Sequence, residues 1–202
     1  MTILRLFFGL ALAVTLAACS SAPSNQVGRA AAAATLQIEQ TQALGATVLA
    51  LSPGVDPVEA QRAAEIAYRH TAVLAQQYQI EDGPIIHNIK VNRGTKPRGL
   101  CWHWAEDMET RLAQEGFETL QLHRAIANYD NWRLEHSTVI ISAKGASMEE
   151  GIVLDPWRKG GELFWSPVAE DKRYDWTPRQ EVFDWKRERG ILTVRYVEAA
   201  GG

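Results

Sequence analysis

The chain has 202 residues, with 21 Lys and Arg against 24 Asp and Glu and a formal net charge of -3. This mildly acidic balance, without any basic run, argues against a nucleic-acid partner. The length suits one domain, or one domain with a helical extension. There are two cysteines, Cys19 and Cys101, and seven tryptophans. Tryptophan at that density asks for a well-packed core or an aromatic groove.

The N-terminus carries one charge, Arg5, and then an uncharged apolar run from Leu6 to Ala18. That run is too short for a comfortable membrane span and has the length of a signal-peptide core. It ends in Leu16-Ala17-Ala18-Cys19, which resembles the lipobox of bacterial lipoproteins. The resemblance implies that residues 1–18 are a signal peptide, that Cys19 is acylated, and that the protein is held at a membrane of the cell envelope by this lipid. Ser20, rather than Asp, follows the cysteine. In a Gram-negative host that implies the outer membrane, facing the periplasm. Residues 19–28 then read as a flexible tether, being small and polar. With Cys19 acylated, Cys101 is the remaining thiol, and no disulfide forms within one mature chain.

Residues 29–50 are rich in Ala, Leu, Gln and Thr and read as a helix, broken by Ser52-Pro53-Gly54. Asp56-Pro57-Val58-Glu59 is a helix start: Asp56 caps, Pro57 fits the first position, and Glu59 can reach back to the cap. This second helix runs to about Tyr78, so residues 29–80 read as an N-terminal helical hairpin. From Pro84 the residues Ile85, Ile86, Ile89 and Val91 suggest a strand or extended segment, and Asn92 to Gly99 a loop. A helix fits Leu100 to Glu115, stopped by Gly116. Strands fit Phe117–Ala127, Ser137–Ala143 with its Val139-Ile140-Ile141 run, Ile152–Leu154, and Leu163–Trp165. A short helix fits Gln180 to Arg189. Helices followed by strands make an α+β pattern, with residues 84–202 as the second domain.

Three residues carry candidate chemistry. Cys101 stands at a predicted helix start, in Arg98-Gly99-Leu100-Cys101-Trp102-His103-Trp104. Unpaired N–H groups and the dipole at that position favour a thiolate, and also an oxyanion on an attacked carbonyl. His136 opens a strand and can exchange the thiol proton. Asp155 closes the next strand and can hold the imidazole in one tautomer. In an antiparallel pair the start of one strand lies beside the end of the next, so His136 and Asp155 are placed to meet. The same residues have plainer readings: a small buried thiol, a strand-end histidine, and a turn-starting Asp before Pro156. His103, two residues from Cys101, points about 200° around the helix and cannot face it. His70 reads as a satisfied helix residue, while His87 and His123 are weaker alternatives for the base. Cys101-Trp102-His103 lacks the paired spacing of a structural zinc site, so no metal and no cofactor are expected. Trp102 and Asn88 are weak candidates for a substrate cleft, Asn88 or Asn92 also as an oxyanion donor.

The ordered set Gly99-Leu100-Cys101, His136 and Asp155-Pro156 resembles the transglutaminase-like branch of the papain-like cysteine peptidases, over roughly residues 85–165. Ser137 stands where that family often has an aromatic residue. The resemblance implies a papain-like core, with a cysteine helix packed on an antiparallel sheet. It also implies a Cys101–His136–Asp155 triad acting on a peptide or other amide-containing envelope substrate through an acyl-enzyme. Hydrolysis is favoured over cross-linking, and a monomer is expected. The alternatives are a non-catalytic envelope lipoprotein that uses the fold to bind a partner, and an endopeptidase acting on the cell wall.

Overall fold

A computed structural model describes residues 22–191. The expected signal peptide, Cys19 and the last eleven residues of the predicted second domain lie outside the described residues. The chain divides into two compact units, Met1–Leu36 and Gln37–Gly202. What is described of the first unit is the N-terminal half of helix α1 (Ala22–Leu49). Residues 22–28, expected as a flexible tether, are therefore helical. The physical reason is continuity: Gln26 and Val27 run into the alanine-rich stretch from Ala30 to Ala34, and each added residue of a formed helix gains a hydrogen bond at little cost.

The second unit is an α+β fold. From Gln37 onward, α1 buries Leu44 and Val48. It approaches α2 (Pro57–Gln77) so closely that a Cβ on Gly45 would meet the Gln61 side chain at 2.6 Å. Small residues on α2, namely Ala60, Ala63, Ala64 and Ala67, are buried at the same core. Asp56 caps α2 as expected, its carboxylate accepting from Val58 N at 2.8 Å and Glu59 N at 2.9 Å. Glu59 does not complete the reciprocal box. It turns away and accepts from Glu118 N, Thr119 N and Thr119 Oγ1 at 2.8, 2.9 and 2.5 Å. Thr119 Oγ1 in turn accepts from Asp56 N at 3.0 Å. The helix start is thereby welded to the segment entering the sheet. This also explains why the strand predicted from Phe117 begins only at Leu120: the two preceding N–H groups are spent on Glu59.

The largest correction concerns residues 84–91. They form helix α3 (Pro84–Asn92), not a strand. Pro84 presets the backbone of the first turn after Gly83, Lys90 sits in the last turn, and Gly94 at φ 73° ends the run. His87 is buried while Ile85, Ile86 and Ile89 stay exposed, so strand propensity finds no sheet to join.

Helix α4 (Cys101–Ala113) lies on a five-stranded antiparallel sheet of order β4-β3-β2-β1-β5. The strands are β1 (Leu120–Ala127), β2 (His136–Ala143), β3 (Ile152–Asp155), β4 (Phe164–Pro167) and β5 (Thr177–Pro178). Four were legible in the sequence; β5, two residues long and half proline, was not. Every residue of central β2 is buried. On one face, Val139 and Ile141 join Met108 and Leu112 of α4 and the alanines of α2 in one cluster. On the other, Ile140 packs with Met148, Val153 and Trp176. Full burial of Met108 and Leu112 contributes roughly 2 kcal/mol each and fixes α4 lengthwise on the sheet. Helix α5 (Arg179–Glu188) follows β5 directly, within one residue of its expected span. Among the described residues, no helix is long and apolar enough to cross a membrane.

Glu59 offers a direct test of the α2–β1 weld. Replacing Glu59 by Ala removes a carboxylate that serves three donors, two of them backbone N–H groups. Urea denaturation of the variant should show a loss of about 2 kcal/mol, with an unchanged slope.

Candidate functional site

The turn before Cys101 is set by its neighbours. Gly99 has φ 121°, and a Cβ there would collide with the His87 ring. His87 Nε2 donates to the Arg98 carbonyl at 2.8 Å, and Trp104 Nε1 donates to the Gly99 carbonyl at 3.1 Å. His103 folds back along its own helix, and its Nδ1 accepts from Gly99 N and Leu100 N, both at 3.1 Å. Arg98 is locked by Asp107 and Glu106 of α4, each at 2.8 Å, and Tyr78, which caps the C-terminal end of α2, donates to the same Asp107 carboxylate. Cys101 thus begins α4 from a turn that is gripped on both sides. The N–H groups of Cys101 and Trp102 lie in the first turn, where the helix itself offers no acceptor.

His136 and Asp155 meet as the strand geometry suggested. Val139 pairs with Leu154 across β2 and β3. One position farther, Asp155 faces Thr138, and His136 lies two residues beyond on the same side. His136 Nε2 donates to Asp155 Oδ2 at 2.7 Å. Both side chains are almost wholly buried, 2% and 1% exposed. With its proton on Nε2, the ring keeps Nδ1 as an acceptor, and Nδ1 is buried and makes no hydrogen bond of its own. Cys101 Sγ lies 3.8 Å from the carbonyl oxygen of Glu135, the residue just before His136, and the sulfur is near enough to act on the ring. The structure therefore brings Cys101, His136 and Asp155 together.

Electrostatics follow from this packing. Burial opposes charge on His136, but the Asp155 carboxylate and then the Cys101 sulfur outweigh it and push the imidazole up to about 9. Burial likewise opposes charge on Asp155, and His136 and Arg158 together overcome it and hold the carboxyl below its usual range.

Several participants carry no pattern that sequence reasoning used. Arg158 donates from its backbone N to Asp155 Oδ1 at 3.1 Å and from Nε to Asp155 Oδ2 at 3.0 Å. Its Nη1 and Nη2 grip both oxygens of Asp171 at 3.0 and 2.7 Å. Asp171 also accepts from Trp176 Nε1 at 3.0 Å. Trp157, Tyr174 and Trp176 surround the His136 ring at centroid distances of 4.6, 4.7 and 5.6 Å. Behind Glu135, its carboxylate is paired with the buried Lys186 of α5. The signal for this shell was the Trp and Arg that follow Asp155-Pro156, but nothing in the sequence marks distant Asp171 as their partner.

The weaker candidates are placed as follows. Asn88 Oδ1 accepts from Trp157 Nε1 at 3.0 Å, so Asn88 reaches the site through the ring that packs on His136. Trp102 stacks on His103 at 3.8 Å, and its Nε1 is buried without a partner. The other histidines are engaged elsewhere: His70 at the Asp107 carbonyl, His87 at Arg98, and His123 of β1 at Ser142 of β2. Among the described residues, no group of three or more His, Cys, Asp or Glu is placed to hold a metal ion. No family model, curated protein or solved structure matches this chain.

Two outcomes are expected from this geometry. A histidine whose folded pKa lies above its free value of ~6.5 stabilises the fold fully below that value and loses the contribution as pH rises through the folded pKa. Relative to His136→Gln, the wild-type protein should therefore lose on the order of 2 kcal/mol between about pH 6.5 and pH 9, read by urea titration at each pH. Arg158→Leu leaves Asp171 buried and strips one cation from Asp155. Its cost should be about 3 kcal/mol, and the double variant Arg158→Leu/Asp171→Leu should recover much of that loss.

Proposed function

We propose that this protein is a cysteine hydrolase of the transglutaminase-like, papain-type class, acting on an amide or peptide bond in the cell envelope. One observation carries the reading. A thiol on a helix N-terminus meets an imidazole whose far nitrogen is tied to a buried carboxylate. In this scheme Cys101 gives its proton to His136 Nδ1, and the sulfur attacks the carbonyl carbon. The carbonyl π electrons move onto oxygen, and the oxyanion sits against the N–H groups of the first turn of α4. Collapse breaks the C–N bond as His136 returns the proton to the leaving amine, leaving an acyl-enzyme. Water then attacks the thioester carbonyl with His136 as base, and the carboxylic acid and free thiol are released. Asp155 stays ionised throughout, orients the ring and stabilises its cationic form, while Arg158 and the aromatic rings keep Asp155 and His136 from moving. No cofactor enters this scheme.

The same reading places the protein at an envelope membrane through acylated Cys19, with residues 37–191 presented to the aqueous side. That part rests on the lipobox-like sequence alone.

The test begins with the thiol. In a soluble form starting after Cys19, iodoacetamide alkylation of Cys101 at pH 6.5 should slow at least ~10-fold in His136→Ala. A fluorogenic peptide-amide library and purified cell wall should then be screened with wild-type protein and Cys101→Ala side by side. Turnover that vanishes in Cys101→Ala supports the hydrolase, and the substrate that is cut separates a protein peptidase from a cell-wall endopeptidase. Turnover that persists in Cys101→Ala overturns Cys101 as the nucleophile, and no turnover together with a thiol indifferent to His136 overturns the hydrolase in favour of a non-catalytic binding protein.

A further inference from the structure

Two arginines meet beside the catalytic helix in a way the proposed chemistry does not use. β1 and β5 are antiparallel, with Ala125 opposite Pro178. Continuing that register by one residue sets Arg179, the first residue of α5, opposite Arg124. Like charges so placed repel one another. Arg124 points to the α4 side of the sheet, where its Nη1 meets Glu109 at 3.0 Å and its side chain is 9% exposed. Its Nε is buried and has no acceptor. Among the described residues, Arg179 is in no ion pair or hydrogen bond; it lies over the Phe183 ring at 4.8 Å. Burial and then Arg124 hold its guanidinium below the usual arginine range, in spite of Glu109 and Glu106 nearby.

The charges around this pair do not cancel by contact. Glu109 serves Arg124, and Glu106 serves Arg98 at 2.8 Å. One guanidinium is left over, next to a second whose Nε donor is unfilled. An arginine fork matches a carboxylate in geometry as well as charge. The location is also informative. Glu109 stands eight residues beyond Cys101 on the same helix, about 12 Å along its axis, and Glu106 and Trp102 lie on the ridge between. An extended peptide covers that distance in three to four residues.

We propose that Arg124 and Arg179 form a subsite for a carboxylate carried by the substrate, three to four residues from the bond that Cys101 attacks. The proposal rests on the hydrolase reading and narrows its substrate to acidic chains. The carboxylate would supply the missing counter-charge and relieve the repulsion across the β1–β5 seam.

The test uses paired affinity probes that differ by one charge. Chloroacetyl-Gly-Gly-Glu-amide and its Gln counterpart probe the leaving-group side. Acetyl-Glu-Gly-Gly chloromethyl ketone and its Gln counterpart probe the acyl side. In each, Cys101 Sγ forms a bond to the methylene carbon as the C–Cl bond breaks and chloride departs. One of the two pairs should show a Glu-over-Gln rate ratio on the order of 10, falling to about 1 in Arg179→Gln. Arg179 is half-exposed at a helix start, so this variant should fold. A ratio near 1 in both pairs, with Cys101 alkylated normally by iodoacetamide, overturns the subsite and leaves the hydrolase standing. A thiol inert to iodoacetamide overturns the hydrolase. The subsite is then read by thermal shift with acetyl-Gly-Gly-Glu-amide at millimolar concentration. A rise in Tm for wild type, absent in Arg179→Gln and with the Gln peptide, keeps it; no rise in wild type ends it.

Discussion

A carboxylate buried as deeply as that of Asp155 must be paid for in positive charge and hydrogen bonds, and much of this end of the molecule is arranged to supply them. His136 offers one N–H, and Arg158 offers a backbone N–H and a guanidinium N–H. Arg158 is buried too and needs a counter-charge of its own, which Asp171 provides through two parallel hydrogen bonds. Asp171 is completed by the Trp176 indole. The chain of partners thus runs from the His136 imidazole through Asp155, Arg158 and Asp171 to Trp176, and each link is needed because the one before it is dry. A consequence is directional stiffness. Arg158 holds both oxygens of Asp155, so the imidazole that bonds the carboxylate has one favourable orientation, with Nδ1 turned toward the cysteine helix.

The second constraint is the placement of Cys101. Gly99 lies flat against His87, His103 takes two N–H groups of the turn, and Tyr78, Asp107 and Arg98 tie that turn to α2 and α4. Meanwhile α4 is fixed on the sheet by Met108 and Leu112. The helix start and the strand start therefore belong to one rigid frame, with sulfur and ring brought together by packing. The same frame carries Arg124 and Glu109 on the seam between sheet and α4, and α5 closes the far side through Lys186 and Glu135. Thiol, ring and the arginine pair are thereby arrayed along one helix.

Much of this was legible from the sequence, for reasons that are local. Asp56-Pro57 is a cap and a preset backbone angle, Gly116 a terminator, and Val139-Ile140-Ile141 a run with no alternative to a buried strand. The placement of Cys101 at a helix start and the meeting of His136 with Asp155 were legible because each stands at the end of an element, which turn residues and strand runs announce. What failed was equally local in origin. Ile85, Ile86, Ile89 and Val91 favour a strand as side chains, but Gly83-Pro84 starts a helix and no sheet edge is offered to them. Phe117 to Thr119 look like strand, yet the N–H groups of Glu118 and Thr119 answer to Glu59.

The sequence by itself determined most of the element types, the α+β order and the element ends at which Cys101, His136 and Asp155 stand, since these follow from periodicity, caps and turn chemistry. Only the tertiary structure decided that Arg158 and Asp171 complete the Asp155 site, that Trp157, Tyr174 and Trp176 enclose His136, and that Arg124 and Arg179 face each other across the β1–β5 seam. Such pairings join residues far apart in the chain. They are fixed by strand register and by the demand that buried charges find partners, neither of which leaves a periodic trace in sequence.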